Sequence, residues 1–181
     1  MTLDDVELRA GDVVLFRGTG WLASGIRFFS RHRGEAPTHA THTGIMADDY
    51  GNICEALWKV KIQPLTDDRS FEVFRPPKQP KKSLVLSMCL KYHKRAYGYT
   101  KILFAAPDGL LGKVFGRDVF LFRRLGFWDK VPHCSFLVDT FLLRFGIDIG
   151  VDPRRCTPDD IHDHCLREGW ECVYSNLGEA S

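Results

Sequence analysis

The sequence lacks a long apolar run, a close pair of cysteines and a large net charge. A helix that crosses a bilayer needs about 20 predominantly apolar residues, and no run approaches that length. The chain begins Met-Thr-Leu-Asp-Asp, without the basic and apolar regions of a signal peptide. These absences predict a protein that is cytoplasmic, or delivered without a classical signal peptide, and that has no transmembrane segment.

The cysteines and the charge exclude further classes of protein. The six cysteines have no Cys-x-x-Cys spacing, which favours reduced thiols over a disulfide framework. A net charge of +2 is too small to indicate a nucleic-acid partner. The chain has 181 residues, of which 44% are hydrophobic, so we expect residues 1–181 to form one domain with a substantial core.

A basic, proline-rich connector at residues 76–82 separates two halves with different patterns. Residues 8–75 carry short apolar or alternating runs between turn residues, which predicts a β-rich half. Residues 83–168 are expected to be mainly helical, with an irregular insertion at 107–130. This insertion mixes glycine with aromatic and basic residues, so it suits a lid, a substrate-binding loop, a membrane-touching segment or an irregular packed excursion. The sequence therefore predicts an α+β fold.

Cys134 begins a stretch in which apolar residues recur at helical spacing as far as Gly146. A helix that is apolar nearly all round is expected to be buried. Pro132 disfavours helix at the residue before it, so Cys134 is predicted to lie at the helix N-terminus. The unpaired amides and the positive end of the helix dipole favour a thiolate there. Most cysteines are inert packing residues, so a nucleophile needs further support.

A cysteine nucleophile also needs a base and a group that orients the base. His42 lies on a predicted strand, and Glu55 lies on the return strand of the same hairpin. A four-residue loop at 47–50 would place the two directly opposite each other, whereas a tight turn at 50–51 would place Glu55 opposite Met46. Both registers put His42 and Glu55 on one face, because side chains alternate along a strand.

Two sets of side chains offer a zinc site as an alternative, but neither has the paired close spacing of structural zinc sites. We therefore expect no metal and no cofactor. His162 and His164 are expected on the surface of the last helix, and His39 is an alternative base if its strand begins early. The two sets are His39, His42, His133 and Cys134, and His162, His164 and Cys165.

Five short motifs together resemble the circularly permuted NlpC/P60 group of papain-like cysteine hydrolases. The resemblance covers most of residues 9–145 and points to the YiiX/YebB-like branch, in which histidine precedes cysteine; the lecithin:retinol acyltransferase-like proteins are relatives. It implies a small antiparallel sheet packed on the helix that carries the cysteine. The motifs are Gly11-Asp12-Val13-Val14-Leu15, Thr41-His42-Thr43-Gly44-Ile45, Glu55-Ala56, Tyr97-Gly98-Tyr99 and His133-Cys134-Ser135-Phe136-Leu137-Val138.

By this resemblance Cys134 is the nucleophile, His42 the base and Glu55 the third polar residue. Tyr99 matches the aromatic residue beside the site, with a role in binding the oxyanion or the substrate. The implied activity is cleavage of an amide bond in a peptide or peptidoglycan-like substrate through an acyl-enzyme. An acyltransferase or lipid hydrolase with the same triad, and a non-catalytic binding module, are alternatives. The basic residues between 78 and 95 and the segment 107–130 also suit an anionic surface, either lipid or cell-wall polymer.

Overall fold

The structure, a computed structural model, describes residues 2–18, 40–57, 59–95, 133–154 and 156–177. Three features of the sequence analysis lie outside these residues: the insertion at 107–130, Tyr99 and His39. The described residues form α-helices and one antiparallel sheet, so the predicted α+β class is confirmed.

Six strands form the sheet, in the spatial order β4-β3-β2-β1-β5-β6, and each neighbouring pair is antiparallel. The strands are β1 (Val13–Phe16), β2 (His42–Met46), β3 (Asn52–Ala56), β4 (Val60–Pro64), β5 (Phe71–Arg75) and β6 (Glu171–Ser175). The helices of the described residues are α1 (Lys82–Tyr92), α2 (Cys134–Arg144) and α3 (Pro158–Arg167), with a short 3-10 turn at Leu3–Asp5. None of these helices has the length and apolar character needed to cross a bilayer.

Both faces of the sheet are covered, which explains why β1 is an unbroken apolar run with every residue buried. Val13 and Leu15 belong to the cluster that includes the buried residues of α2. Val14 and Phe16 point the other way, into a second cluster that residues near the N-terminus complete. We call these two sides of the sheet the helix face and the opposite face.

Helix α2 packs across β2 and β3 on the helix face. Its side chains Leu137, Val138 and Phe141 are fully buried, as the helical spacing predicts. The helix ends at Arg144, and Gly146 follows with φ of +84°, a left-handed conformation that glycine adopts without a steric penalty.

The expectation that His162 and His164 lie on the surface of the last helix is wrong. They are only 7% and 5% exposed. The His162 ring packs edge-on against Phe74 in β5, at 5.8 Å between centroids, and His164 packs in the same way against Trp170, at 5.6 Å. Helix α3 is therefore covered on two sides, which its sequence pattern did not reveal.

The β2–β3 hairpin adopts neither of the two registers predicted. Gly44 lies opposite Glu55, so the observed register falls midway between them. The four-residue loop begins at Asp48, whose carboxylate accepts hydrogen bonds from the N–H groups of Tyr50 (2.9 Å) and Asn52 (3.1 Å). This Asx-type loop fixes the register, and it leaves Glu55 diagonal to His42 on the opposite face.

Gly44 is predicted to be required by the packing between β2 and β3. A Cβ atom at this position would lie 2.7 Å from Cδ1 of Ile53. Gly44→Ala should therefore destabilise the protein by about 1–3 kcal/mol, the usual cost of overpacking a core. Urea denaturation measures this, and Gly44→Ala/Ile53→Val should recover part of the loss because valine lacks Cδ1. If the two substitutions changed the free energy of unfolding by the sum of their separate effects, the predicted contact would be contradicted.

Candidate active site

His42 is the first residue of β2, and its imidazole is held from two sides. Its Nε2 lies 2.8 Å from Oε2 of Glu55, and its ring lies 5.4 Å from the ring of Phe16 in β1. The side chain is 19% exposed. Since Nε2 bonds to the carboxylate, Nδ1 is the ring nitrogen left for another partner.

Glu55 is fully buried, and each of its carboxylate oxygens accepts two hydrogen bonds. Oε2 accepts from His42 Nε2 and from Nη1 of Arg69, at 2.8 and 2.9 Å. Oε1 accepts from Nη2 of Arg69 and Nε2 of Gln63, at 2.9 and 2.8 Å. A buried carboxylate is tolerated when donors of this kind replace its water, and the forked arginine contact is among the strongest available.

These partners decide the charge of Glu55. Burial by itself raises the pKa of a carboxyl group, since it disfavours the charged form. Here the hydrogen bonds from His42 and Arg69 outweigh burial and lower the pKa from 4.5 to about 2. Glu55 is therefore an anion throughout the neutral range.

Cys134 is the first residue of α2, and the packing of α2 on β2 brings its side chain to His42. Burial lowers the pKa of the His42 imidazole, but the charge and hydrogen bond of Cys134, followed by those of Glu55, raise it to about 9. The thiol also lies at the N-terminus of α2, where the positive end of the helix dipole favours a thiolate. The three side chains thus form the chain Cys134–His42–Glu55.

Sequence reasoning missed Arg69 and Gln63, which complete the surroundings of Glu55. Arg69 lies in the loop between β4 and β5, where a charged residue carries no periodic signal. Gln63 lies in β4 opposite Ile53, on the same face as Glu55. The register between β3 and β4 would have shown that Gln63 lies near Glu55, but the sequence does not predict that register.

Asp139 is a second buried carboxyl group that the sequence pattern did not reveal. It lies on α2, is fully buried, and neither of its oxygens has a hydrogen-bond partner among the described residues. Burial, and after it the nearby charge of Asp148, raise its pKa to about 7. This carboxyl group thus titrates close to neutral pH, in contrast to Glu55.

Comparison with solved structures identifies a likeness in fold. The chain is similar to the metalloprotein YiiX of Escherichia coli O157:H7, with a TM-score of 0.52 and 16% sequence identity over 80% of this chain and 71% of that one. No protein-family profile matches the sequence, and no curated protein matches it. At this identity the likeness shows the fold alone. The chain has a YiiX-like fold.

The low pKa of Glu55 predicts a specific loss of stability in acid. In the unfolded chain the group binds its proton near pH 4.5, and in the folded chain only near pH 2. Its stabilisation is therefore complete above pH 4.5 and is lost as the pH falls toward 2. Between pH 5 and pH 3 this component amounts to about 2 kcal/mol.

Urea denaturation at pH 5 and pH 3 measures this component in the free energy of unfolding. Glu55→Gln should lower the free energy of unfolding at pH 5. Its further decrease between pH 5 and pH 3 should be smaller than in the parent protein by about 2 kcal/mol, because glutamine does not titrate. Glu171→Gln, at an exposed carboxylate of β6, is the control and should keep the full decrease. An acid loss in Glu55→Gln as large as in the parent protein would contradict the assignment.

Proposed function

We propose that this protein is a cysteine-dependent hydrolase that cleaves an amide bond in a peptide or peptidoglycan-like substrate. The observation that carries the proposal is the position of His42. Its imidazole lies between the Cys134 thiol and a buried, ionised Glu55. A nucleophile, a base and a group that orients the base form the minimal arrangement for covalent acyl transfer.

The chemistry follows from these positions. The Cys134 thiolate attacks the carbonyl carbon, and the carbonyl π electrons move to the oxygen. The amide groups at the N-terminus of α2 stabilise that oxyanion. The intermediate collapses with cleavage of the C–N bond, and the amine leaves with a proton from the His42 imidazolium. His42 then takes a proton from water, which attacks the thioester and regenerates the thiolate.

The charges of the resting site suit this cycle. With a pKa of about 9, His42 is an imidazolium at neutral pH and holds the proton that the leaving amine requires. Glu55 stays ionised and keeps the proton on Nε2 directed at itself. We also propose that Tyr99 helps to bind the oxyanion.

The description of YiiX as a metalloprotein raises the question of a metal in this chain. The surroundings of Glu55 do not fit one, because both of its oxygens already accept two hydrogen bonds and a guanidinium lies against them. Among the described residues, Asp159, His162 and Asp163 bring three potential ligand atoms within 4.8 Å of one another. None of these three residues contacts Glu55 or His42 in the hydrogen bonds of the site, and the proposed steps use only Cys134, His42, Glu55 and water.

Selective alkylation tests the proposed nucleophile. Burial raises the pKa of Cys156, Cys165 and Cys172, so these thiols are protonated at neutral pH. Iodoacetamide at pH 6.5 should therefore label Cys134 first among the six cysteines, as measured by peptide mass spectrometry. His42→Ala should slow this labelling by about tenfold or more, because an unpaired thiol has an ordinary pKa near 8.5.

His164→Ala is the matched control for this experiment, because it removes a buried histidine from α3 rather than from the site. It should leave the labelling rate of Cys134 unchanged. Labelling spread evenly over the cysteines, or a Cys134 rate that does not depend on His42, would count against the enzyme and favour a binding module on this fold.

A lipid amide or ester is the second candidate substrate, and the surface of α1 favours it. Residues 76–95 contain six lysines or arginines and no acidic residue. Leu86 and Leu90 lie one turn apart on α1 and are 43% and 59% exposed. An exposed leucine strip among lysines has the chemistry that binds an anionic membrane surface.

Vesicle flotation tests this candidate. The protein should float at low salt with vesicles that contain phosphatidylserine and not with pure phosphatidylcholine. Leu86→Ser/Leu90→Ser should weaken binding by about tenfold or more because two apolar contacts are lost. Leu166→Ser, at a leucine that is 57% exposed on α3, is the control and should bind normally. Absence of binding to either vesicle would exclude the lipid surface.

A further inference from the structure

We propose that Arg69 is a positioning residue that keeps Glu55 ionised and aimed at His42, and that Tyr174 and Asn176 hold the loop of Arg69 in place. This inference rests on the proposed function. It assigns a role to the loop between β4 and β5 and to residues 174–176, which lie far from Cys134 in the sequence.

The guanidinium of Arg69 contacts Glu55 and also the aromatic ring that packs against His42. Its fork spans the two carboxylate oxygens, at 2.9 Å each. Its flat face lies 4.0 Å from the centre of the Phe16 ring, the same ring that packs against His42. Arg69 therefore fixes the direction of the carboxylate and also supports the aromatic wall of the imidazole.

The backbone that carries Arg69 is held by Tyr174 of β6 and by Asn176, which follows that strand. The side chain of Asn176 donates to the carbonyl of Arg69 at 2.9 Å and accepts from the N–H of Phe71 at 2.7 Å. The hydroxyl of Tyr174 donates to Asp67 at 2.7 Å. Three hydrogen bonds from residues 174 and 176 thus bracket the loop on either side of Arg69.

The consequence of losing this fork follows from the burial of Glu55. Without the guanidinium, the donors that remain to Glu55 among the described residues are His42 and Gln63, and they alone oppose the burial that raises the pKa of its carboxyl group. Glu55 would then take up its proton at a higher pH. A neutral Glu55 no longer stabilises the imidazolium, so the thiolate–imidazolium pair would form only at higher pH.

The experiment is the pH dependence of Cys134 alkylation by iodoacetamide in the full chain. Arg69→Gln should shift the acid limb of the rate to higher pH by about one unit, a tenfold lower rate at a fixed pH on that limb. Arg69→Lys keeps the charge but not the fork, so it should shift the limb less. Asn176→Ala should shift it in the same direction.

Arg75→Gln is the matched control. Arg75 makes a similar forked contact with another fully buried carboxylate, that of Asp12, at 3.2 and 2.9 Å. This variant should lower thermal stability as Arg69→Gln does but leave the acid limb in place. The double variant Arg69→Gln/Glu55→Gln should react like Glu55→Gln alone, because Arg69 acts through that carboxylate.

The outcomes separate this inference from the proposed function. If the parent protein shows no selective, His42-dependent labelling of Cys134, the proposed function fails. If the parent protein does show this labelling, but the acid limb of the rate lies at the same pH in Arg69→Gln and in Arg75→Gln, only the positioning role of Arg69 is overturned. An effect of Arg69→Gln that persists fully in the Glu55→Gln background would also overturn it.

Discussion

The buried carboxylate of Glu55 is the constraint on which the rest of the site depends. Removing a carboxylate from water costs several kcal/mol, and well-placed hydrogen bonds must offset that cost. The four bonds come from β2, from β4 and from the β4–β5 loop. These separate parts of the chain must converge on Glu55, so the site and the sheet form together.

Two carboxyl groups of similar burial show how far partners, rather than burial, set the charge. Glu55 and Asp139 are both fully buried. The pKa of Glu55 falls to about 2 because His42 and Arg69 bind its charged form, whereas the pKa of Asp139 rises to about 7 because no donor among the described residues does so. At neutral pH Glu55 is therefore an anion beside the His42 imidazole, whereas Asp139 in α2 is uncharged or only partly ionised.

The site also joins the two sides of the sheet. His42 packs with Phe16 on the opposite face, whereas Cys134 belongs to the helix packed on the helix face. They meet because His42 is the first residue of β2 and Cys134 the first residue of α2. The thiol thus reaches the imidazole where one end of β2 meets the N-terminus of α2.

The sequence by itself determined the elements: the strand Val13–Phe16, the cysteine helix with its buried stripe, and the hairpin that puts His42 and Glu55 on one face. These elements follow from the periodicity of side chains along a helix or a strand, which is a local property of the backbone. The hydrogen bonds of the Asp48 loop decided the hairpin register, which the alternation of side chains leaves open. Tertiary structure alone decided the burial of His162 and His164, and the donors Arg69 and Gln63 around Glu55. Each of these depends on contacts between segments distant in sequence, and no spacing along the chain encodes such contacts.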